Sequence, residues 1–271
     1  MVKGFYTNKK CIAVFVTKKV SRSELLSNEV IPNFYKGIET DVNQCEMPVY
    51  NSLTSKIRPV VNGYSVGNIL SNISGTAGCL VADRYVYILS SNHILALNNQ
   101  APIGSIILQP GTQDGGKAGE DIIGHLDRFI PIAFVERGKQ PENVVDCALC
   151  KITRKSLALP IIAFVGNPKG VALPILNENV KKIGRTTEKT TGKVKYLFGT
   201  FEVDCLYVSK IAIFKNQIAT TKMAEPGDSG ALLLNSKDYA LGLLLGSSNN
   251  IVLFNPIQQV LDRLNVKLVT S

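Results

Sequence analysis

A serine framed by two glycines is the strongest chemical signal in this 271-residue sequence. The segment Gly227-Asp228-Ser229-Gly230 follows a Glu-Pro pair and precedes the apolar residues 231–234. Glycine lets the backbone approach a substrate closely, and backbone N–H groups around such a serine can converge on one point and stabilise an oxyanion. We therefore interpret Ser229 as a candidate nucleophile, although a plain turn between two strands would explain the same four residues.

The sequence offers two histidines that could activate this serine, whose hydroxyl is a poor nucleophile at neutral pH. His93 follows the predicted strand Tyr85 to Leu89, so it should be held at a rigid edge with one face open to a cleft. His125 lies in the middle of a predicted strand, where a surface or packed imidazole is expected. We therefore predict that His93 is the base.

A carboxylate is needed to orient that base. Asp146 lies in the apolar run Val144 to Ile152, interpreted as a strand, and a carboxylate there costs free energy unless it is paired. We predict that it pairs with His93. Three other carboxylates are alternatives: Asp114, Asp121 and Asp127. Asp114 lies in the glycine-rich segment Gln109 to Gly116, where a role in a turn would explain it.

The pattern of the first fifty-five residues predicts a small α/β segment. Lys10 to Thr17 and Gly37 to Val42 read as strands, and Ser21-x-x-Glu24 is a capping box for a helix that Pro32 would end. The polar residues 51–59 read as a linker. We expect residues 1–55 to form this segment and residues 56–271 a second domain.

Short strands separated by Gly, Asn, Asp or Pro turns dominate the chain beyond residue 60. Many strands without intervening helices favour barrels or a sandwich, and two series suggest two barrels, at about 60–165 and 166–254. The candidate strands are Thr76 to Ala82, Tyr85 to Leu89, Ser105 to Leu108, Asp121 to Ile132, Val144 to Ile152, Val180 to Ile183, Gly192 to Phe198, Glu202 to Val208, Ile211 to Phe214, Ala231 to Leu234, Ala240 to Leu245 and Ile251 to Phe254.

One helix is predicted near the end, at about 256–265. Asn255 can cap it, Pro256 suits its first turn, and apolar residues recur at helical spacing. We expect a mainly β fold with this C-terminal helix.

Composition excludes several classes of protein. Hydrophobic residues make up 45% of the chain, which is typical of a globular protein. The net charge of +9 comes from scattered lysines without an arginine-rich block, which favours a solvated surface over a nucleic-acid partner. No stretch approaches the roughly 18 apolar residues that a membrane span needs. The run Cys11 to Val16 is too short for a secretory signal, so we expect a cytoplasmic protein.

The six cysteines read as reduced thiols in that compartment. Cys147 and Cys150 form a C-x-x-C in an apolar run with no second pair, which does not favour a zinc or redox site. The residues suggest no metal and no organic cofactor.

The order His93, Asp146, Ser229 resembles that of the trypsin-like (chymotrypsin-fold) serine peptidases, and the resemblance extends over nearly the whole chain. The matching pieces are Gly-Thr-Ala-Gly-Cys at 75–79, Ser-Asn-His-Ile at 91–94, Asp-Cys-Ala-Leu at 146–149 and Gly-Asp-Ser-Gly at 227–230. More narrowly, the sequence is similar to an intracellular bacterial subgroup with a small N-terminal α/β segment, and distantly to plant narrow-leaf-type proteases. Residues 109–116 and 184–194 also resemble segments of that subgroup.

The resemblance implies two six-stranded barrels with the active site between them. Ser229 would attack a peptide carbonyl, His93 would carry its proton to the leaving amine, and Asp146 would fix the imidazole tautomer. The N–H groups of Gly227 and Ser229 would form the oxyanion hole. The substrate would be a protein or peptide; no membrane partner is expected, and the oligomeric state is not predicted.

Asp228 departs from the pattern of secreted relatives, in which the corresponding carboxylate pairs with an N-terminal amine released by processing. The segment Arg58 to Tyr64 contains no matching start. Asp228 therefore needs another partner, such as a lysine, an arginine or backbone amides. Arg185 could reach the Asp228 region or form a salt bridge elsewhere on a barrel.

The resemblance also suggests a primary specificity pocket without an acidic base. Such a pocket favours an apolar or small P1 side chain, because a cationic one would lack a buried partner. Its residues would be Met223, Ala224, Leu245, Gly246 and Ser247. The competing functions are a catalytically weak peptide-binding or scaffold protein and, ranked last, a nucleic-acid-associated protein.

Overall fold

Two structural units follow each other along the chain in the computed structural model, residues 1–51 and residues 52–271. The structure describes residues 10–16, 18–44, 52–205 and 208–271. Parts of several predicted segments lie outside these ranges: residues 1–9 and 45–50 of the segment 1–55, Thr17 of its first strand, Asn51 of the linker, and residues 206–207 of the strand Glu202 to Val208. Cys45, one of the six cysteines, also lies outside the described residues.

The first unit is a three-stranded sheet in the order β1-β3-β2, comprising β1 (Ile12–Val16), β2 (Phe34–Tyr35) and β3 (Ile38–Gln44). β1 pairs with β3 in parallel, so the chain must cross over between them. The helix predicted after Ser21 is wrong: only the 3-10 helix Arg22–Glu24 forms there. None of its residues is buried, so a longer helix would have no packed face to stabilise it.

The strands in the first half of the second unit are short. They are β4 (Val60–Asn62), β5 (Ser65–Asn68), β6 (Gly75–Thr76), β7 (Cys79–Ala82), β8 (Val86–Ser90), β9 (Ile106–Leu108), β10 (Ile122–Phe129), β11 (Glu142–Asn143) and β12 (Ala148–Ile152).

The remaining strands lie in the C-terminal half of the second unit. They are β13 (Ala158–Ile162), β14 (Gly170–Val171), β15 (Asn179–Gly184), β16 (Glu188–Cys205), β17 (Lys210–Thr221), β18 (Leu232–Asn235), β19 (Tyr239–Ser247), β20 (Ile251–Pro256) and β21 (Lys267–Leu268).

These strands form two large sheets, each with a body of six antiparallel strands, while β4 and β13 pair in parallel as a separate two-stranded sheet. In the first, the order is β7-β8-β12-β10-β9-β5, with the two-residue strands β21 and β6 at its ends. In the second, the order is β17-β16-β15-β18-β19, and β20 pairs with both β17 and β19, which closes the barrel. The two-residue strands β11 and β14 join the second sheet in parallel. We call the two sheets barrel one and barrel two.

Two α-helices accompany the barrels: α1 (Asn92–Leu95) directly after β8, and α2 (Ile257–Leu264). The predicted C-terminal helix and the mainly β class are confirmed. The predicted cap is wrong, because the N-cap residue is Pro256 and the side chain of Asn255 is buried inside the protein. In the part of the chain that the structure describes, no helix is long and apolar enough to cross a membrane.

Three of the four apolar clusters among the described residues support this architecture. One fills barrel one, around Ile107 and Ile123, and another fills barrel two, around Phe254. The third lies between the barrels, where β7, β8 and β12 residues pack against Leu232, Leu234 and the buried face of α2. Because this third core joins both barrels, the groups at the seam between them are held at defined separations.

Three sequence expectations need correction. Asp146 is not inside a strand, because β12 begins only at Ala148. The two strands predicted at 192–198 and 202–208 are one bulged strand, β16, whose pairing with β17 shifts register three times. The expected linker is part of the second unit, since Leu53 is buried in the core between the barrels.

Candidate active site

His93 and Asp146 are in direct contact at the edge of barrel one. The imidazole Nδ1 lies 2.5 Å from Asp146 Oδ2, and the backbone N–H of His93 donates to Oδ1 of the same carboxylate at 3.2 Å. The His93 side chain is 16% exposed and the Asp146 side chain 2%. Because an ionised carboxylate can only accept, this contact directs the ring proton to Nδ1 and leaves Nε2 as the acceptor of a neutral ring.

Barrel two holds this carboxylate segment in place. The backbone N–H of Asp146 donates to Oδ1 of Asn255 at 2.9 Å, and Asn255 Nδ2 donates to Gln217 Oε1 at 2.7 Å. Gln217 in turn donates to the carbonyl of Val144 at 2.9 Å. Sequence reasoning missed Asn255 and Gln217, since a buried amide at a strand end looks the same in sequence as a helix cap.

The carbonyl groups of the Ser229 loop are all engaged, which fixes the plane of each peptide in it. Each of the four consecutive carbonyl oxygens of residues 226–229 accepts one hydrogen bond. The donors are the Thr186 hydroxyl to Pro226 (2.9 Å), the Thr76 hydroxyl to Gly227 (3.1 Å), the Ala231 N–H to Asp228 (3.0 Å) and the Thr76 N–H to Ser229 (2.8 Å).

The N–H groups of the same loop divide into two kinds. Those of Asp228 and Gly230 donate to carbonyl oxygens of the protein at 3.0 Å. Those of Gly227 and Ser229 donate no hydrogen bond to any described residue. Both residues are half-buried, so these two unpaired N–H groups beside a serine are open to an incoming acceptor such as a carbonyl or an oxyanion.

Gly227 has a conformation that glycine favours. Its φ is +99°, and the Asp228 N–H donates back to the Glu225 carbonyl, which gives a turn with Pro226 and Gly227 at its centre. A Cβ at Gly227 would lie 2.3 Å from the Thr186 hydroxyl and 2.5 Å from an Arg185 nitrogen. The Glu-Pro-Gly-Asp signal therefore corresponds to a turn in which any other residue at position 227 would be strained.

The Ser229 loop lies against the segment that carries His93. A Cβ at Gly230 would lie 2.2 Å from Ser90 Oγ, and Ser90 precedes His93 by three residues. The hydroxyl of Ser91 and the N–H of Gly230 both donate to the carbonyl of Leu244. In the described residues the half-buried Ser229 hydroxyl itself makes no hydrogen bond with His93.

Lys182 is the buried partner of Asp228. The Lys182 Nζ lies 3.0 Å from Asp228 Oδ2, and both side chains are 0% exposed. The carboxylate also accepts from the Thr187 hydroxyl at 2.6 Å and from the N–H groups of Thr186, Thr187 and Glu225. This resolves the alternatives left open by the sequence in favour of a lysine together with backbone amides.

Charge and burial act in opposite directions on this pair. Burial on its own raises the pKa of Asp228, but Lys182, the Thr187 hydroxyl and the backbone N–H groups together hold that pKa below its ordinary value. Burial lowers the pKa of Lys182, although the Asp228 carboxylate opposes the shift. A Cβ at Gly184 would lie 2.4 Å from Asp228 Oδ1, so the strand beside the carboxylate has no room for a side chain.

Arg185 forms its salt bridge with Asp114 and not with Asp228. Its Nε lies 2.6 Å from Asp114 Oδ2, and a terminal nitrogen bonds to the other carboxylate oxygen. Asp114 also accepts from the Ser65 hydroxyl at 2.6 Å. The glycine-rich loop of barrel one is thereby tied to barrel two, a role beyond the turn expected for Asp114.

The remaining alternatives to the His93–Asp146 pair have other surroundings. Asp121 pairs with Lys56 at 2.6 Å and Asp127 with Arg128 at 2.9 Å. His125 is exposed in β10, where it is opposite Lys151 in the ladder. Neither carboxylate is within hydrogen-bond distance of His93.

The five residues predicted for the specificity pocket have unequal exposure. Met223 and Ala224 are buried in the core of barrel two, and Leu245 is buried in an adjoining cluster with Ile132 and Leu253. Gly246 is half-buried with open space beside its Cα, and Ser247 is exposed. The nearby Glu225 carboxylate is half-exposed and pairs with Lys222 at 3.1 Å.

The C-x-x-C cysteines are packing residues. Cys147 and Cys150 are fully buried in different apolar clusters, and burial raises the pKa of both thiols. Among the described residues, no three His, Cys, Asp or Glu side chains are grouped as a metal site requires.

Sequence comparison with family models and with curated proteins finds no match. Solved structures do match in fold. Thermobifida fusca Protease A is 18% identical with a TM-score of 0.58, and the alignment covers 78% of this chain and 99% of that chain. Cellulomonas bogoriensis chymotrypsin is 17% identical with a TM-score of 0.56, covering 78% and 99%.

A glutamic acid-specific serine protease, whose substrate binding uses a histidine triad, is also similar. It is 17% identical with a TM-score of 0.57, covering 78% of this chain and 100% of that one. Identities this low concern the fold alone. They confirm the chymotrypsin-like two-barrel class expected from the sequence.

Replacing Lys182 should destabilise the protein strongly. Lys182→Met leaves the Asp228 carboxylate buried without its cation, which typically costs about 3–5 kcal/mol. Lys193→Met is the matched control, because Lys193 is exposed on β16 and should change stability by less than about 0.5 kcal/mol. Unfolding free energies from denaturant titration compare the two variants. Equal stabilities would contradict the importance of this pair.

Stability should also depend on acid through Asp228. Its folded pKa lies below the unfolded one, so its contribution is fully present above the unfolded value of about 3.9 and is lost as pH falls through the folded pKa. Unfolding free energies measured downward from neutral pH should therefore drop more steeply in the wild type than in Lys182→Met/Asp228→Asn. Parallel curves for the two proteins would rule this contribution out.

Proposed function

We propose that this protein is a serine endopeptidase that hydrolyses peptide bonds through an acyl-enzyme intermediate. The observation that carries the proposal is the pair of unpaired N–H groups of Gly227 and Ser229, in a loop whose carbonyls are all engaged. The contact between His93 and Asp146 on the adjoining barrel supplies a base with its acceptor nitrogen free. The chymotrypsin-like fold is consistent with both features.

The proposed reaction follows from the chemistry of these groups. Ser229 Oγ attacks the scissile carbonyl carbon, and its proton passes to Nε2 of His93. Asp146 stabilises the imidazolium that forms, and the N–H groups of Gly227 and Ser229 bind the negative oxygen. His93 then protonates the leaving amine, which breaks the C–N bond, and water repeats the sequence to release Ser229.

The alternative is a protease-like protein that binds peptides with little turnover. Its supports in the sequence are the added segment at residues 1–55 and the lack of a processed N-terminus that could pair with Asp228. The buried contact between Lys182 and Asp228 removes the second argument, because an internal cation satisfies the carboxylate without processing. The peptidase is therefore the better-supported function.

The finer assignments belong to the same proposal. We assign the chain to the intracellular bacterial subgroup and to the cytoplasm, with residues 1–55 as an added segment and 56–271 as the peptidase domain. The division of the structure after residue 51 supports two parts. Proteins or peptides would be the substrates, and no acidic pocket base is proposed.

Active-site labelling tests the reaction. A fluorophosphonate should label the wild type, Ser229→Ala should not label, and His93→Ala should label at least about 100-fold more slowly because the base is gone. Two matched controls, Ser236→Ala and His125→Ala, change exposed residues and should label normally. The scaffold function would be favoured if the wild type never labels and peptide binding survives in Ser229→Ala.

Substrate profiling tests the pocket. Met223 and Ala224 are buried in apolar surroundings and Glu225 is engaged by Lys222, so a cationic P1 residue would find no buried partner. A peptide library should therefore be cleaved after apolar or small residues. A profile dominated by Arg or Lys at P1 would overturn this assignment.

A further inference from the structure

We propose that Thr76 is a positioning residue that sets the geometry of the oxyanion loop from the opposite barrel. Thr76 ends β6 in barrel one and is fully buried. It touches neither the reacting atoms nor the His93–Asp146 pair. The inference rests on the proposed function, since its consequence is the reactivity of Ser229.

Thr76 binds both carbonyl groups on either side of Asp228. Its N–H donates to the Ser229 carbonyl at 2.8 Å, and its hydroxyl donates to the Gly227 carbonyl at 3.1 Å. These two carbonyls belong to the peptides that flank the Asp228–Ser229 bond. One residue therefore holds the loop at two points, one on each side of Asp228, whose carboxylate Lys182 anchors.

The direction of the Thr76 hydroxyl proton is determined by a third contact. The backbone N–H of Arg185 donates to Thr76 Oγ1 at 3.0 Å, so the oxygen is the acceptor there. The single hydroxyl proton is then available for the Gly227 carbonyl. Arg185 is itself held by the salt bridge with Asp114, so this donor has a fixed position.

A fourth contact joins Thr76 to the segment of the base. The Ser90 hydroxyl donates to the Thr76 carbonyl at 2.7 Å, and Ser90 ends the strand that leads into His93. The two segments are closely packed here, because a Cβ at Gly78 would lie 2.3 Å from the Gly230 carbonyl oxygen. Thr76 therefore links the two segments whose separation governs the reaction.

The orientation of the Gly227 carbonyl has a chemical consequence. Gly227 lies at φ +99°, in a turn where the adjoining peptide could rotate if its oxygen lost its donor. This peptide also carries the Asp228 N–H that closes the turn onto Glu225, and it connects the two peptides that carry the N–H groups of Gly227 and Ser229. Its rotation would open the turn and shift both unpaired N–H groups from the point where an oxyanion forms, and losing one such donor typically slows a reaction about 100-fold or more. The hydroxyl, and not the methyl group, is the feature that prevents it.

Two variants of Thr76 distinguish the role of its hydroxyl from that of its methyl group. Thr76→Val keeps the shape and the backbone N–H but removes the hydroxyl, whereas Thr76→Ser keeps the hydroxyl and removes the methyl group. We expect fluorophosphonate labelling of Ser229 to slow at least about tenfold in Thr76→Val and to stay near the wild-type rate in Thr76→Ser. For a cleaved peptide, kcat should fall and KM should change little.

Ile123→Ala is the control for a general loss of stability, because it removes buried apolar atoms from the core of barrel one. Its folded fraction should label at the wild-type rate. Wild-type labelling rates in Thr76→Val would overturn the inference and leave the proposed function standing, as would equal slowing in Ile123→Ala.

Absence of labelling in the wild type would refute the proposed function, and amide exchange then decides the inference. The Asp228 N–H closes the turn that contains Gly227. Its exchange should be faster in Thr76→Val than in Thr76→Ser, because the released carbonyl loosens that turn. Equal exchange in the two variants would overturn the positioning role.

Discussion

The buried contact between Lys182 and Asp228 is the interaction on which the candidate site depends. An ionised carboxylate with no exposed surface is stable only when cations and N–H groups surround it, and Asp228 has both. Because Asp228 stands between Gly227 and Ser229, the groups that satisfy its charge also determine where the neighbouring N–H groups point. The loop geometry is thus a consequence of neutralising one buried charge.

The positions of the other candidate catalytic groups depend on contacts across the seam between the barrels. Barrel one carries His93 and Asp146, and barrel two carries Ser229, so no single sheet contains the candidate machinery. Hydrogen bonds cross the seam at Asn255 to the Asp146 backbone and at Thr76 to the Ser229 loop. Beneath them the apolar core shared by both barrels keeps the separation constant, because close-packed side chains resist displacement.

Local patterns predicted much of this arrangement and failed where distant partners decide. The Gly-Asp-Ser-Gly turn, the edge position of His93 and the terminal helix follow from short stretches of sequence. Asn255 was assigned to the helix cap, but its amide is buried against Asp146 and Gln217, residues far away along the chain. Asp146 was expected inside a strand, although the paired strand begins two residues later. The helix predicted after Ser21 lacks a packed face, which the capping pattern alone does not reveal.

The mainly β class, the two series of strands, and the types and order of the residues that could do chemistry all follow from short stretches of sequence. These depend on alternation, turn residues and motif spacing, which are properties of neighbouring residues. The partners of the buried charges depend instead on how the barrels pack: Lys182 and not Arg185 contacts Asp228, Arg185 contacts Asp114, and Thr76 holds the Ser229 loop. The reason is that a buried polar group forms hydrogen bonds with whichever partner the packing of the two barrels brings near. These partners lie far apart along the chain, so no local sequence pattern identifies them.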